Sequence, residues 1–262
     1  MTLADYDPTT RVSDTHGSHI AALARKALEI LAREKTLAPG SVAEHLDKLC
    51  DAFLSNDPSL REKTIQRILS ENISSTEIID HIIPAASRLI GERWVNDEIG
   101  FADVTIATMR LQDAARSLMS EGPQGVVDPL GTVLLIIPKG EDHSLGAVIA
   151  TDQFKRHGYE VDLVVGKHAL QIFEMVRQNR YSLVGITAAR LKTLAEIKVL
   201  VERIRTGVPW RVPIVVGGPI VLTDIDVQGV TGADHVGSDI QQVLSMCNLQ
   251  SKNKFGIEAE AE

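Results

Sequence analysis

Long apolar runs, a basic excess and clustered cysteines are all missing from this sequence, and each absence closes off a class of protein. No stretch approaches the roughly 20 consecutive apolar residues that a membrane-spanning helix requires. The opening Met1-Thr2-Leu3-Ala4-Asp5-Tyr6-Asp7 has neither the basic nor the apolar region of a signal peptide, so a cytoplasmic location without membrane attachment is expected. The only cysteines are Cys50 and Cys247, far apart and outside any metal-ligand spacing. Reduced thiols are expected there, not a disulfide. Lys and Arg number 27 against 35 Asp and Glu, a net charge of −8. Even residues 1–70, the natural place for a DNA-reading helix pair, carry nine basic and ten acidic side chains. DNA affinity rests on phosphate contacts and needs a basic face, so tight direct DNA binding is not expected. A nucleophile beside its base, a zinc spacing and a phosphate loop are also missing, and the chain is not expected to be an enzyme.

What is present divides into a helical half and an α/β half, and 262 residues suffice for two cores. Ile20, Leu23, Ala24, Ala27, Leu28 and Leu31 fall on one face at helical spacing. Pro39-Gly40 breaks that helix, and Ser41 is placed to cap a second with the stripe Val42, Leu46, Leu49, Cys50 and Phe53. A third helix follows Ser55-Asn56-Asp57-Pro58, near 59–70. Residues 1–74 therefore read as an N-terminal helical extension. Residues 75–120 read as a bundle: an apolar helix through Ile78, Ile79, Ile82, Ile83, Leu89 and Ile90 despite Pro84, then a helix over about 102–119. The Gly/Pro-rich stretch within 121–131 reads as a linker.

Beyond it, apolar runs and helical segments alternate. Strands are predicted at 133–137, 159–166, 182–187 and 213–216, with a short last one in 232–237. The intervening helices are predicted to start after Gly146, near 168, at Leu191 and near 239. This order specifies a five-stranded, doubly wound parallel sheet of flavodoxin-like type over 132–247. Residues 248–262 remain as a tail, with Lys252 and Lys254 diluted by Glu258, Glu260 and Glu262 and expected to be solvated.

The chemistry concentrates at Glu141-Asp142-His143-Ser144-Leu145-Gly146, in the turn at the C-terminal end of the first strand. Open α/β sheets bind their ligands at such turns. The hexapeptide resembles the DxHxxG motif of cobalamin-binding domains, with Glu141 where that family usually has Asp. The resemblance implies His143 as the lower axial ligand of cobalt, Glu141 accepting the other ring N–H, and Gly146 giving room to the displaced nucleotide tail. Thr187-Ala188-Ala189 and Gly217-Gly218 stand where the family has Ser-x-Leu and Gly-Gly. Thr187 keeps the hydroxyl, whereas Ala189 replaces the leucine. Cobalamin is the expected cofactor, bound also through Asp142, Ser144, Gly217 and Gly218.

A helical bundle before such a domain is itself a family arrangement, with a tryptophan above the cobalt in several members. Trp94 is the candidate for that role here. Light-sensing adenosylcobalamin repressors carry Trp-x9-Glu-His, but this chain has Val104 and Thr105 at the Glu-His positions. A hydroxo or aquo cobalamin is therefore expected over the adenosyl form, with His16 or His19 as candidate upper ligands. Taken together, the chain is similar to the AerR/PpaA antirepressors of purple photosynthetic bacteria. That implies a light- or oxygen-responsive regulator of photosynthesis genes whose partner is a PpsR/CrtJ-type repressor. The alternative is a corrinoid protein carrying methyl groups in a methyltransferase system.

Overall fold

The computed structural model describes residues 41–120, 126–141 and 143–252. The backbone separates into two compact units at 119/120. The first is entirely helical among its described residues. Its elements are α1 (Ser41–Leu54), α2 (Pro58–Ser70), α3 (Ser75–Glu77), α4 (Ile83–Val95) and α5 (Phe101–Ser120). Asp57 caps α2 by accepting the Ser59 N–H at 2.8 Å, with Pro58 at the first helical position, where a missing N–H costs nothing. Ser74 and Glu77 form a capping box at the start of α3.

Pro84 does not end the apolar helix; it changes the winding ahead of it. Proline removes one i→i−4 bond and its ring crowds the carbonyl four residues back. The chain answers with a π-helical stretch, Ile78–Ile82, in which the Ile83 N–H reaches the Ile78 carbonyl, and α4 continues beyond. Ile78, Ile79, Ile82, Ile83 and Ile90 are all buried, together with Leu49, Cys50 and Phe53 of α1 and Ala107, Leu111 and Ala115 of α5. Arg110 on α5 closes the end of α1, donating to the carbonyls of Phe53 at 2.9 Å and Ser55 at 2.8 Å. Burial pushes the Cys50 thiol up to about 12, so its reactive thiolate is suppressed at neutral pH.

The second unit alternates strand and helix: β1 (Thr132–Ile137), α6 (Leu145–Arg156), β2 (Glu160–Val165), α7 (Ala169–Gln178) and β3 (Leu183–Thr187). It continues with α8 (Leu191–Gly207), β4 (Ile214–Gly217), a 3-10 turn (Pro219–Leu222), α9 (Val227–Thr231), β5 (His235–Val236) and α10 (Ile240–Met246). The strands pair in the order β2-β1-β3-β4-β5, all parallel. Because β1 is buried on both faces, its side chains divide by parity. Val133 and Leu135 pack with Phe154 of α6 and Ile240, Val243 and Leu244 of α10. Leu134 and Ile136 join the larger core formed with Ile172 and Val176 of α7 and Leu194, Ile197 and Val201 of α8. Each fully buried Leu or Ile contributes about 1.5–3 kcal/mol of transfer free energy.

The segment 248–252 is exposed, as its composition suggests, but it is anchored to the α/β unit. Gln250 accepts the Tyr159 hydroxyl at 2.8 Å, Ser251 meets His157 Nδ1 at 2.7 Å, and the Lys252 N–H donates to the His157 carbonyl at 3.1 Å. The Lys252 ammonium reaches back to the carbonyls of Val127 and Asp128. These anchors hold in place a polar stretch whose composition alone reads as a free tail. Among the described residues, no helix is long and apolar enough to cross a membrane.

Candidate functional site

In this strand order β1 and β3 are neighbours whose following helices cross to opposite faces of the sheet. The loops after them meet at the point where the strand order reverses, the crevice at which such sheets usually hold their ligands. The first loop carries the hexapeptide. A turn closed by the Glu141 N–H on the Pro138 carbonyl, at 3.1 Å, directs the Glu141 side chain inward, where it is 1% exposed. His143 stays outside, 61% exposed, with Nδ1 at 3.8 Å from Glu141 Oε2. Ser144 is the N-cap residue of α6, its carbonyl accepting the Val148 N–H at 3.0 Å. A Cβ on Gly146, in the first turn of α6, would meet nothing within 4 Å, so this side of the helix start lies open. Asp142 lies outside the described residues.

A buried carboxylate is costly unless its oxygens are satisfied. Glu141 Oε1 accepts the Thr193 hydroxyl and lies 3.8 Å from Arg190 Nε, both at the start of α8. Oε2 is buried and has no hydrogen-bond partner among the described residues. Thr193 and Arg190 therefore fix one oxygen and leave the other free beside the imidazole. Neither was singled out from the sequence. Both lie about fifty positions from Glu141, and only the pairing of β1 with β3 brings them together.

This arrangement makes a prediction. Thr193→Val removes the hydroxyl at nearly constant volume, and Arg190→Ala removes the cation. Each is expected to weaken hydroxocobalamin binding by about 10–100-fold, the usual cost of losing a group behind a metal ligand. A spectrophotometric titration measures it, and unchanged affinity in both variants removes the support role.

Thr187 ends β3 beside Gly218, which follows β4. Ala188 ties the two ends, its N–H donating to the Gly217 carbonyl at 2.9 Å. Gly218 has φ +90°, and a Cβ there would come within 2.5 Å of Thr187 Oγ1 and 2.7 Å of the Ala188 carbonyl. The sheet itself thus requires glycine at 218, before any ligand is considered. In the helical unit, Trp94 is 44% exposed and meets the still more open Phe101 edge to face, with ring centroids 6.1 Å apart. It is not a buried staple between helices. Val104 is half-buried, and the Thr105 hydroxyl is spent on the Phe101 carbonyl at 2.8 Å. His16 and His19 lie outside the described residues.

Fold and crevice together define a B12-binding domain protein: residues 131–239 match the B12 binding domain family. The chain is 34% identical over 176 residues to an uncharacterized 20.5 kDa protein in the bchF-crtJ intergenic region of Rhodobacter capsulatus. That alignment covers 66% of this chain and 91% of the relative, and the chain belongs to the same family of B12-binding domain proteins. Trimethylamine corrinoid protein 2 of Methanosarcina acetivorans is 24% identical over 201 residues, 75% of this chain and 89% of that protein. The Methanosarcina barkeri monomethylamine corrinoid protein shares the fold, with a TM-score of 0.65 and 16% identity over 78% of this chain and 96% of its own.

The residues present fit cobalamin. Glu141 Oε2 is a buried acceptor lacking a donor, and the imidazole 3.8 Å away can supply one from Nδ1, leaving Nε2 for cobalt. The open side of Gly146 leaves space for a bulky group at the crevice.

Proposed function

We propose that the chain is a cobalamin-dependent, light- or oxygen-responsive antirepressor that controls photosynthesis genes by binding a PpsR/CrtJ-type repressor. The observation that carries this reading is the Rhodobacter capsulatus relative, 34% identical across 91% of its length and situated between bchF and crtJ. In this reading His143 holds the cofactor from below, Glu141 orients the ring, and Thr187, Gly217 and Gly218 border the nucleotide tail. Trp94, exposed beside Phe101, faces the cofactor's upper side, and His16 or His19 supplies an upper ligand. Bound cobalamin supplies a light-sensitive, redox-active centre. The chain itself binds, orients and reports, without catalysis, in the cytoplasm. The net charge of −8 favours a protein partner over DNA.

The experiment is a gel-shift titration at moderate salt. Repressor bound to its promoter duplex is titrated with the chain loaded with hydroxocobalamin, and loss or a supershift of the repressor complex is expected. The chain alone is expected to give at most weak, sequence-indifferent binding. Tight sequence-specific binding by the chain alone, or an indifferent repressor complex, sinks the reading.

A methyl-carrier role is the second reading, favoured by the 24% identity to trimethylamine corrinoid protein 2. Methyl transfer separates the two. A chain whose reduced corrinoid takes up a methyl group and passes it to a partner methyltransferase is a carrier, whereas a sensor binds repressor and transfers none.

A further inference from the structure

At the end of the sheet opposite the crevice, where β3 and β4 begin, five arginines gather on a chain of net charge −8. Three are matched by carboxylates. Arg177 donates to Glu174 at 2.7 Å, and Arg205 and Arg211 share Asp234. Burial alone pushes the Asp234 carboxyl up, but the Ile214 N–H and the two guanidiniums hold it below the usual carboxylate value. The other two, Arg180 and Arg203, are exposed and sit over aromatic rings: Arg180 at 4.8 Å from the Trp210 centroid and Arg203 at 5.7 Å from that of Phe173. Among the described residues neither has a carboxylate within ion-pair distance. Phe173 also packs against Gly207, where a Cβ would come within 2.7 Å of its ring. Phe173 and Trp210 pack against the same core, so the two guanidinium-on-ring pairs present their charge at the same end of the sheet.

We infer that this arginine–aromatic surface is where the chain docks an acidic segment of its protein partner. A guanidinium resting on a ring has given up rotamer freedom in advance and keeps planar donors for a carboxylate. Tryptophan and arginine are the residue types that dominate binding energy at protein interfaces. Single-stranded nucleic acid is the poorer fit, because the ring faces on which bases stack are already covered by this chain's own arginines. The identity of the partner rests on the antirepressor reading above; the placement of the surface rests on the geometry.

The test measures binding of the full chain, loaded with hydroxocobalamin, to purified PpsR/CrtJ-type repressor by surface plasmon resonance. The double substitution Arg180→Glu/Arg203→Glu is expected to weaken binding by at least about tenfold, with the corrin spectrum and melting temperature unchanged. Arg180→Lys/Arg203→Lys keeps the charge without the planar fork and is expected to fall between the two. Wild-type binding is expected to weaken as salt rises. If the wild type binds and the Glu variant binds equally well, the surface is elsewhere and only this inference fails. If the wild type binds no repressor, the antirepressor reading fails and takes this partner with it. Tighter binding of single-stranded DNA than of repressor, lost in the Glu variant, assigns the surface to nucleic acid and overturns the proposal.

Discussion

Replacing His143 by Ala is expected to remove the protein-ligated form of cobalamin from this chain. The imidazole is 61% exposed, so the substitution leaves the fold intact and its effect reports on the cofactor. Nδ1 lies 3.8 Å from a buried carboxylate oxygen that has no donor, and a hydrogen bond formed there would set the tautomer and leave Nε2 for cobalt, as proposed. Affinity for hydroxocobalamin is expected to fall by more than the roughly 100-fold that marks the upper cost of losing a supporting group. Any residual complex is expected to show the spectrum of a cofactor ligated by its own base. Glu141→Gln, which keeps the shape and loses the charge, is expected to cost about 10–100-fold. Spectrophotometric titration reads both, with melting temperature as the control for folding. An unchanged affinity and spectrum in His143→Ala would falsify the assignment of the site.

Dark adenosylcobalamin is expected to bind at least about tenfold more weakly than hydroxocobalamin, a difference of about 1.4 kcal/mol. Adenosine brings hydroxyls and an amine that are costly to bury unpaired, about 1–3 kcal/mol for each group left without a partner. Where the light-sensing repressors place Glu-His, this chain has Val104, whose side chain offers no polar atom, and Thr105, whose one hydroxyl proton is already donated to the Phe101 carbonyl at 2.8 Å, leaving neither a charge nor a free donor. The side chains of Trp94 and Phe101, in edge-to-face contact, likewise carry no acceptor for an amine. Illumination of an adenosylcobalamin mixture is therefore expected to raise binding by cleaving off the adenosyl group, and a conformation shifts only through such differential affinity. Titration of the apo-protein with each form, the adenosyl one kept dark, decides it. Equal or tighter binding in the dark makes Trp94 the floor of an adenosyl pocket.

The strands were legible because β1 and β4 are uninterrupted β-branched and leucine runs, which a sheet covered on both faces requires. His143 was legible because its motif is local, six residues confined to one turn. Arg190 and Thr193 were not: no spacing announces them, and their meeting with Glu141 is a product of strand order. The π-helical stretch before Pro84 escaped periodicity because Ile78, Ile79, Ile82 and Ile83 satisfy an α-helical stripe equally well. Ser74 caps α3 because it lies three residues before the reciprocating Glu77, a local pairing that the apolar stripe does not reveal. The docking of 248–252 was hidden for another reason. Its anchors, His157 and Tyr159, lie at the far end of α6, and polar composition in a short segment says nothing about such contacts.

That last contact gives the α/β unit an unusual doorway. Lys252 grasps the carbonyls of Val127 and Asp128, so the strand-bearing unit is entered and left at a single place. Its chain path is in effect a closed ring, with both flanking segments knotted at one hitch beneath β2 and the crevice at the opposite rim. A ring of this kind can be cut in a surface loop and rejoined across residues 127 and 252 with little change to its core.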